Sequence, residues 1–179
     1  MPETDNVFLI GPMGSGKTAV GRQLARRLRL EFFDADHEIE RRTGVDISYI
    51  FEREGEAGFR DRERDVIDEL TRRGNVVVAT GGGAVLDADT RTRLRARGRV
   101  VYLHASVKQQ LARTRRSTHR PLLNSADPRE TLERLMKARG ALYDDLADIS
   151  VTTDGRRVKT VVDEIEKALS GRGKERWRS

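Results

Sequence analysis

The stretch GPMGSGKT, Gly11 to Thr18, decides how this chain is read. The apolar run NVFLI, Asn6–Ile10, precedes it, and AVGRQLARRL follows. A strand signal, a glycine-rich turn and a helix signal therefore stand in that order. The eight residues fit G-x-x-x-x-G-K-[ST], with Gly11, Gly16, Lys17 and Thr18 in the fixed places. Glycines here let the backbone curl until successive N–H groups converge on an anion. The helix beginning near Gly16 adds its positive end. Lys17 can reach β- and γ-phosphates, and the Thr18 hydroxyl suits a Mg²⁺ ion. A nucleoside triphosphate is thus the expected ligand, held by Gly14, Ser15, Gly16, Lys17, Thr18 and Ala19.

Outward from this loop, apolar runs and helical text alternate. Strands are expected at Asn6–Ile10, Glu31–Asp36, Asn75–Thr80, Arg99–His104 and Asp148–Thr153. Helices are expected at Lys17–Leu28, Asp36–Arg53 with a break at Gly44, Gly58–Arg73, Asp87–Arg97, Ser106–Thr114, Arg129–Tyr143 and Val158–Leu169. Strands that are apolar throughout imply a parallel sheet covered on both faces. The expected fold is α/β with three layers, a five-stranded parallel sheet between helices. Ligands of such sheets bind beyond the carboxyl ends of the strands. The unusual text falls there: the phosphate loop, Asp34 and Asp36 ending the second strand, and Gly81-Gly82-Gly83 after the third.

The 179 residues make one ordinary domain, expected over 1–170. The last nine residues, GRGKERWRS, read as a flexible basic tail, and Trp177 as exposed. Net charge is +6 and the sequence pI about 10.0, which raises nucleic acid as a partner. Aromatic content is only 5% and most basic residues alternate with acids, so no nucleic-acid role is expected. FEREGEAGFRDRERD, Phe51–Asp65, reads in particular as a solvated helix face. No apolar run approaches the ~20 residues of a membrane span, and the N-terminal text lacks a basic stretch before its apolar run. The chain has no cysteine, which fits a reducing compartment. A cytoplasmic monomer acting on small molecules is expected. His37, His104 and His119 lack metal-ligand spacing. Tyr49, Phe51 and Phe59 are expected to pack an acceptor-binding subdomain.

The acceptor of the phosphoryl group is the open question. Asp34 is placed to hold Mg²⁺ through water, and Asp36 to accept a hydroxyl hydrogen bond as a general base. Read alone, one of the pair could instead cap the following helix. Arg115–Pro128, with turn residues and little periodicity, reads as a lid that could shut out water. A rival acceptor is gluconate or a nucleoside monophosphate.

With FFDADHEIE (Phe32–Glu40), GFR (Gly58–Arg60), TGGGAV (Thr80–Val85), RPLL (Arg120–Leu123) and ARGALY (Ala138–Tyr143), the chain resembles the shikimate kinases from about residue 6 to 170. The family often has proline where Ala141 stands. The resemblance implies a P-loop kinase fold with an acceptor-binding helical region, about 34–62, and a lid, about 115–127. It implies transfer of the ATP γ-phosphoryl group to the 3-hydroxyl of shikimate with one Mg²⁺. Carried over by position, Asp36 would bind the shikimate hydroxyls and assist deprotonation. Arg60 and Arg139 would hold its carboxylate, and Gly81, Gly82 and Gly83 would line its pocket. Asp34 and Thr18 would serve the metal. Arg120, with Lys17, would stabilise the transferring phosphate. Arg113 and Arg156 would flank the adenine.

Overall fold

The computed structural model describes residues 5–115 and 127–176, with side chains up to Gly171. Five strands form one sheet: β1 (Val7–Ile10), β2 (Glu31–Asp34), β3 (Val76–Ala79), β4 (Arg99–His104) and β5 (Ile149–Thr152). Their order is β2-β3-β1-β4-β5 and every pairing is parallel. Among the described residues the helices are α1 (Lys17–Leu28), α2 (Ala35–Thr43), α3 (Ile47–Arg72), α4 (Ala88–Arg97), α5 (Val107–Thr114), α6 (Pro128–Leu146) and α7 (Val158–Arg176).

Alternation along the strands builds two cores. Val7, Leu9, Val77, Val101 and Leu103 point to one face, where Val20 and Leu24 of α1 and Val161, Val162 and Ile165 of α7 cover them. Phe8, Ile10, Val76, Val78, Val100 and Tyr102 point to the other, against α3, α4 and α6. The three inner strands are apolar on both faces because both are covered. The edge strands β2 and β5 are partly exposed. Asn6 precedes β1 rather than belonging to it. Its buried amide donates to the Arg73 carbonyl (2.8 Å) and accepts from Val76 N–H (3.1 Å), tying two chain crossings together.

The topology makes the crevice. β3 sits between β1 and β2, so the loops after β1, β2 and β3 emerge side by side. The connections from β1 and β3 depart in opposite directions, opening a cleft at the carboxyl end of the sheet.

Two local expectations are corrected and one is met. β2 stops at Asp34, and Asp36 lies in the first turn of α2 instead of ending a strand. Asp34 takes the cap position and accepts from His37 N–H at 3.1 Å, and that ends the strand two residues early. The expected interruption between Arg53 and Gly58 is present: within α3 Gly55, with φ of 72° and ψ of −179°, kinks the chain and separates two helical segments. Glu54 and Arg62 bracket the bend through paired contacts of 2.7 and 2.8 Å. The last helix continues to Arg176, past the expected end at Leu169, so part of the supposed tail is helical. Helix ends carry the weakest local signal.

Candidate active site

A cleft of about 520 Å³ opens at the carboxyl end of β1, β2 and β3. It is lined by the phosphate loop, by Asp34, Asp36, His37 and Glu40 of the next crossover, and by Thr80, Gly81 and Gly82. Its two ends are built differently.

The phosphate loop turns on Gly14 (φ 78°) and Gly16 (φ 90°), in backbone that a Cβ would strain. Gly16 caps α1 with no side-chain hydrogen bond. The first-turn N–H groups of α1 are therefore available to an anion. Lys17 Nζ donates to the carbonyls of Gly11 (2.6 Å) and Pro12 (2.8 Å), so the ammonium lies across the mouth of the loop. Ser15 is buried, and its Oγ has no hydrogen-bond partner among the described residues. Thr18 Oγ1 donates to Asp34 Oδ2 at 2.6 Å. Asp34 thus caps α2 and, with its other oxygen, accepts from the P-loop threonine. A hydroxyl and a carboxylate oxygen beside a phosphate cradle match the needs of Mg²⁺, which takes one or two protein oxygens along with phosphates and water.

Arg113 also lines this end. Its guanidinium donates to the Gly14 carbonyl (2.9 Å) and to Thr153 Oγ1 and O (both 3.2 Å), bracing the loop from α5. Arg156 does not line the cleft. It donates to the Thr152 carbonyl (2.8 Å) and pairs with Glu164 (2.5 Å) at the turn after β5. Arg120 and most of the expected lid lie outside the described residues, as do His119 and Trp177.

At the other end Asp36, Gly81 and Gly82 line the cleft, and behind them lies an ionic cluster whose Arg60, Glu63 and Arg139 do not themselves line it. Arg60 on α3 lies over the Phe59 ring at 5.2 Å. It donates to Glu63 Oε1 (3.0 Å) and Glu56 Oε1 (3.2 Å). A Cβ on Gly83 would fall onto the Arg60 guanidinium, and one on Gly81 onto Glu63 Oε2, with Asp36 Oδ1 at 3.1 Å. A Cβ on Gly82 would stand 3.5 Å from Arg139 Nη1. Asp36, Arg60 and Arg139 thus converge on one loop from α2, α3 and α6. The helix carrying Arg139 is unbroken through Gly140 and Ala141, and Arg139 is 4% exposed. Tyr143, one turn on, donates its hydroxyl to the Gly82 carbonyl at 2.5 Å and stacks on Tyr102. Burial first, with Asp36 next among the groups raising it, pushes the Glu63 carboxyl up to about 7, against the pull of Arg60 and Arg139. Burial likewise pushes the Tyr143 hydroxyl up to about 12.

Glu63 was missed by the sequence reading, which took Phe51–Asp65 as solvated. Much of that stretch is solvated, with Arg62–Glu54 and Arg64–Asp61 pairs at the surface. Glu63, however, occupies a place in the stripe Phe59, Glu63, Val66, Ile67, Leu70, all buried. Arg139 sits likewise in the buried series Leu132, Arg139, Tyr143, Leu146. A lone charge inside an apolar stripe was the available signal. Among the aromatic residues, Phe51 and Phe59 pack together with centroids 4.9 Å apart, but Tyr49 is 44% exposed and does not join them. No cluster of three or more metal-ligating side chains occurs among the described residues.

A parallel sheet with a P-loop at its switch point, opposite a glycine loop flanked by the half-buried Arg60 and the buried Arg139, defines a small-molecule phosphotransferase of the P-loop kinase class. The family model for shikimate kinase matches residues 13–170. Shikimate kinase 1 of Yersinia enterocolitica is 54% identical over 170 residues, covering 94% of this chain and 98% of the relative. A solved shikimate kinase from Acinetobacter baumannii, in complex with shikimate, superposes with a TM-score of 0.92 at 47% identity over 94% of each chain. That from Aquifex aeolicus gives 0.82 at 36% identity, over 94% of this chain and 98% of its own. The chain belongs to the shikimate kinase family.

Proposed function

We propose that this protein transfers the γ-phosphoryl group of ATP to the 3-hydroxyl of shikimate, giving shikimate 3-phosphate and ADP in the route to chorismate and the aromatic amino acids. One observation carries the reading. Arg60 and Arg139 bracket the Gly81–Gly83 loop, with Asp36 beside them and a phosphate cradle across the cleft. A compact carboxylated polyol needs that set: guanidinium for the carboxylate, a carboxylate for hydroxyls, and bare backbone for close approach. A nucleoside monophosphate would tolerate losing the Asp36–Arg60 pair and would want further basic groups facing the pocket.

On nucleotide arrival, Lys17 exchanges the Gly11 and Pro12 carbonyls for phosphate oxygens. The loop N–H groups hold the β-phosphate, and Arg113 stiffens the loop through the Gly14 carbonyl. Thr18 and Asp34 would hold a Mg²⁺ ion, which would supply positive charge to offset that of the phosphates. Arg60 and Arg139 anchor the acceptor carboxylate and so aim its hydroxyl at the γ-phosphorus. As that oxygen attacks, its proton passes to Asp36 and the bond to the β–γ bridging oxygen breaks, leaving the electron pair on ADP. The transition state is largely dissociative, so rate comes from alignment and placed cations. Arg120 closes over the transferring group and excludes water. The enzyme works as a cytoplasmic monomer. No helix among the described residues is long and apolar enough to cross a membrane.

ADP release measured with shikimate, gluconate and a nucleoside monophosphate tests the assignment. Shikimate alone is expected to stimulate it. Equal stimulation by another acceptor, or none by shikimate, would refute the reading.

A further inference from the structure

Glu63 has a geometry that positioning Arg60 does not by itself explain. The residue is 2% exposed. Its Oε1 accepts from Arg60, while its Oε2 is buried with no hydrogen-bond partner among the described residues. That oxygen lies against Gly81, on the side where Asp36 Oδ1 also comes close. The groups facing it are Asp36 from α2, Arg60 on its own helix and Arg139 from α6, with Tyr143 next to Arg139. Glu56 sits beyond, on the other arm of Arg60, and is half exposed.

With Glu63 ionised the formal charges facing the loop balance, Asp36 and Glu63 against Arg60 and Arg139, the half-exposed Glu56 lying beyond them towards solvent. An acceptor carboxylate laid between the arginines breaks that balance by one negative charge. In a desolvated cluster the cheapest relief is to neutralise a carboxylate rather than to bury three against two cations. Glu63 is the more buried acid and the one holding an unsatisfied oxygen. Resting on the acceptor assignment above, we propose that the substrate's carboxylate enters this site together with one proton from solvent, and that Glu63 Oε2 holds that proton while the acceptor is bound. No bond of the acceptor changes in the step; one O–H bond forms on Glu63. The neutral acid keeps Oε1 as an acceptor for Arg60, turns Oε2 into a donor towards the Asp36 side, and leaves the Arg60 charge to the substrate. Burial already brings this carboxyl near neutrality, so the proton is exchangeable under ordinary conditions.

Calorimetric titration of the full chain with shikimate, in two buffers of different ionisation enthalpy, reads the proton count. At pH 7.5 roughly half a proton per site is expected to be taken up, and at pH 6 about a tenth or less, because Glu63 is then already protonated. Affinity is expected to fall as pH rises from 7 to about 8.5. Glu63→Gln should bring the uptake close to zero and flatten that pH dependence, a result that a purely structural role for Glu63 would not give. His37, the histidine on the cleft lining, is the control: His37→Gln should leave uptake intact. If Glu63→Gln fails to fold, difference infrared spectra of the unaltered chain with isotope-labelled glutamate should show a protonated carboxyl band growing as shikimate binds. Shikimate binding without proton uptake, uptake unchanged in Glu63→Gln, or no such band would overturn the inference. Failure of shikimate to bind at all would overturn the acceptor assignment instead.

Discussion

Lys17 bonds to carbonyls six and five residues before it, Gly11 and Pro12, whereas Arg60 and Arg139 reach their loop from two helices far apart in the chain. The phosphate end is local and made mostly of backbone. The acceptor end is assembled by tertiary packing around two buried charges, Glu63 and Arg139, with the half-buried Asp36 and Arg60 beside them. At the first end Lys17 and Thr18 line the open cleft, and removing either strands no buried ion. At the second end each charge depends on the others, and removing one leaves a buried ion uncompensated. Loss at the first end should therefore strike chemistry, and loss at the second should strike acceptor affinity and stability together.

The largest effect expected is that of Lys17→Ala. Turnover should drop by roughly a thousandfold, as for a lost charge-stabilising group in phosphoryl transfer. Shikimate affinity, read by titration, should be preserved, and near-normal turnover would erase the contrast. Arg60→Ala comes next. It removes a substrate anchor and strands Glu63, so shikimate binding should weaken by about 30- to 1,000-fold, or about 2–4 kcal/mol. ATP affinity should change little and the melting temperature should fall; equal losses for both substrates would contradict the division. Alanine in the glycine loop gives smaller, graded effects. Gly81→Ala presses on Glu63 and Gly83→Ala on Arg60, so each should raise the shikimate KM about tenfold. In the free protein Gly82→Ala meets nothing closer than 3.4 Å, so it should perturb folding stability least of the three.

The smallest effect is a pH dependence of stability. Glu63 titrates near 7 in the folded chain against a reference of 4.5. A raised folded-state value means that its contribution is fully present below about 4.5 and is lost as pH rises to about 7. Chemical denaturation across that range should show the native chain losing stability relative to Glu63→Gln. A constant difference between the two would show that Glu63 is not held so.

The local end was legible and the distant end was not, for a physical reason. The phosphate loop depends on a turn's backbone conformation, and glycine spacing encodes that directly: α1 begins at Lys17 and ends at Leu28 as expected. Strand alternation likewise encoded the sheet, although its order β2-β3-β1-β4-β5 came only with packing. Asp36 was identified but misplaced, because the Asp34 cap competes locally with strand extension. Arg60 and Arg139 came through family resemblance, since any one arginine in so basic a chain looks like a surface residue. Glu63 escaped because its meaning lies in which face of α3 is buried, a property of the partner helices rather than of its neighbours in sequence. The brace from Arg113 to Gly14 and Thr153 was equally invisible, being a contact between α5, the loop after β1 and the end of β5.

The most direct trial of this division is ADP release at saturating magnesium-ATP with shikimate, with its methyl ester and with neither. Arg60 and Arg139 predict strong stimulation by the acid and almost none by the ester, whose hydroxyls are intact but whose charge is gone. Stimulation by the ester as great as by the acid, or indifference to both, would contradict a cup built to hold a carboxylate.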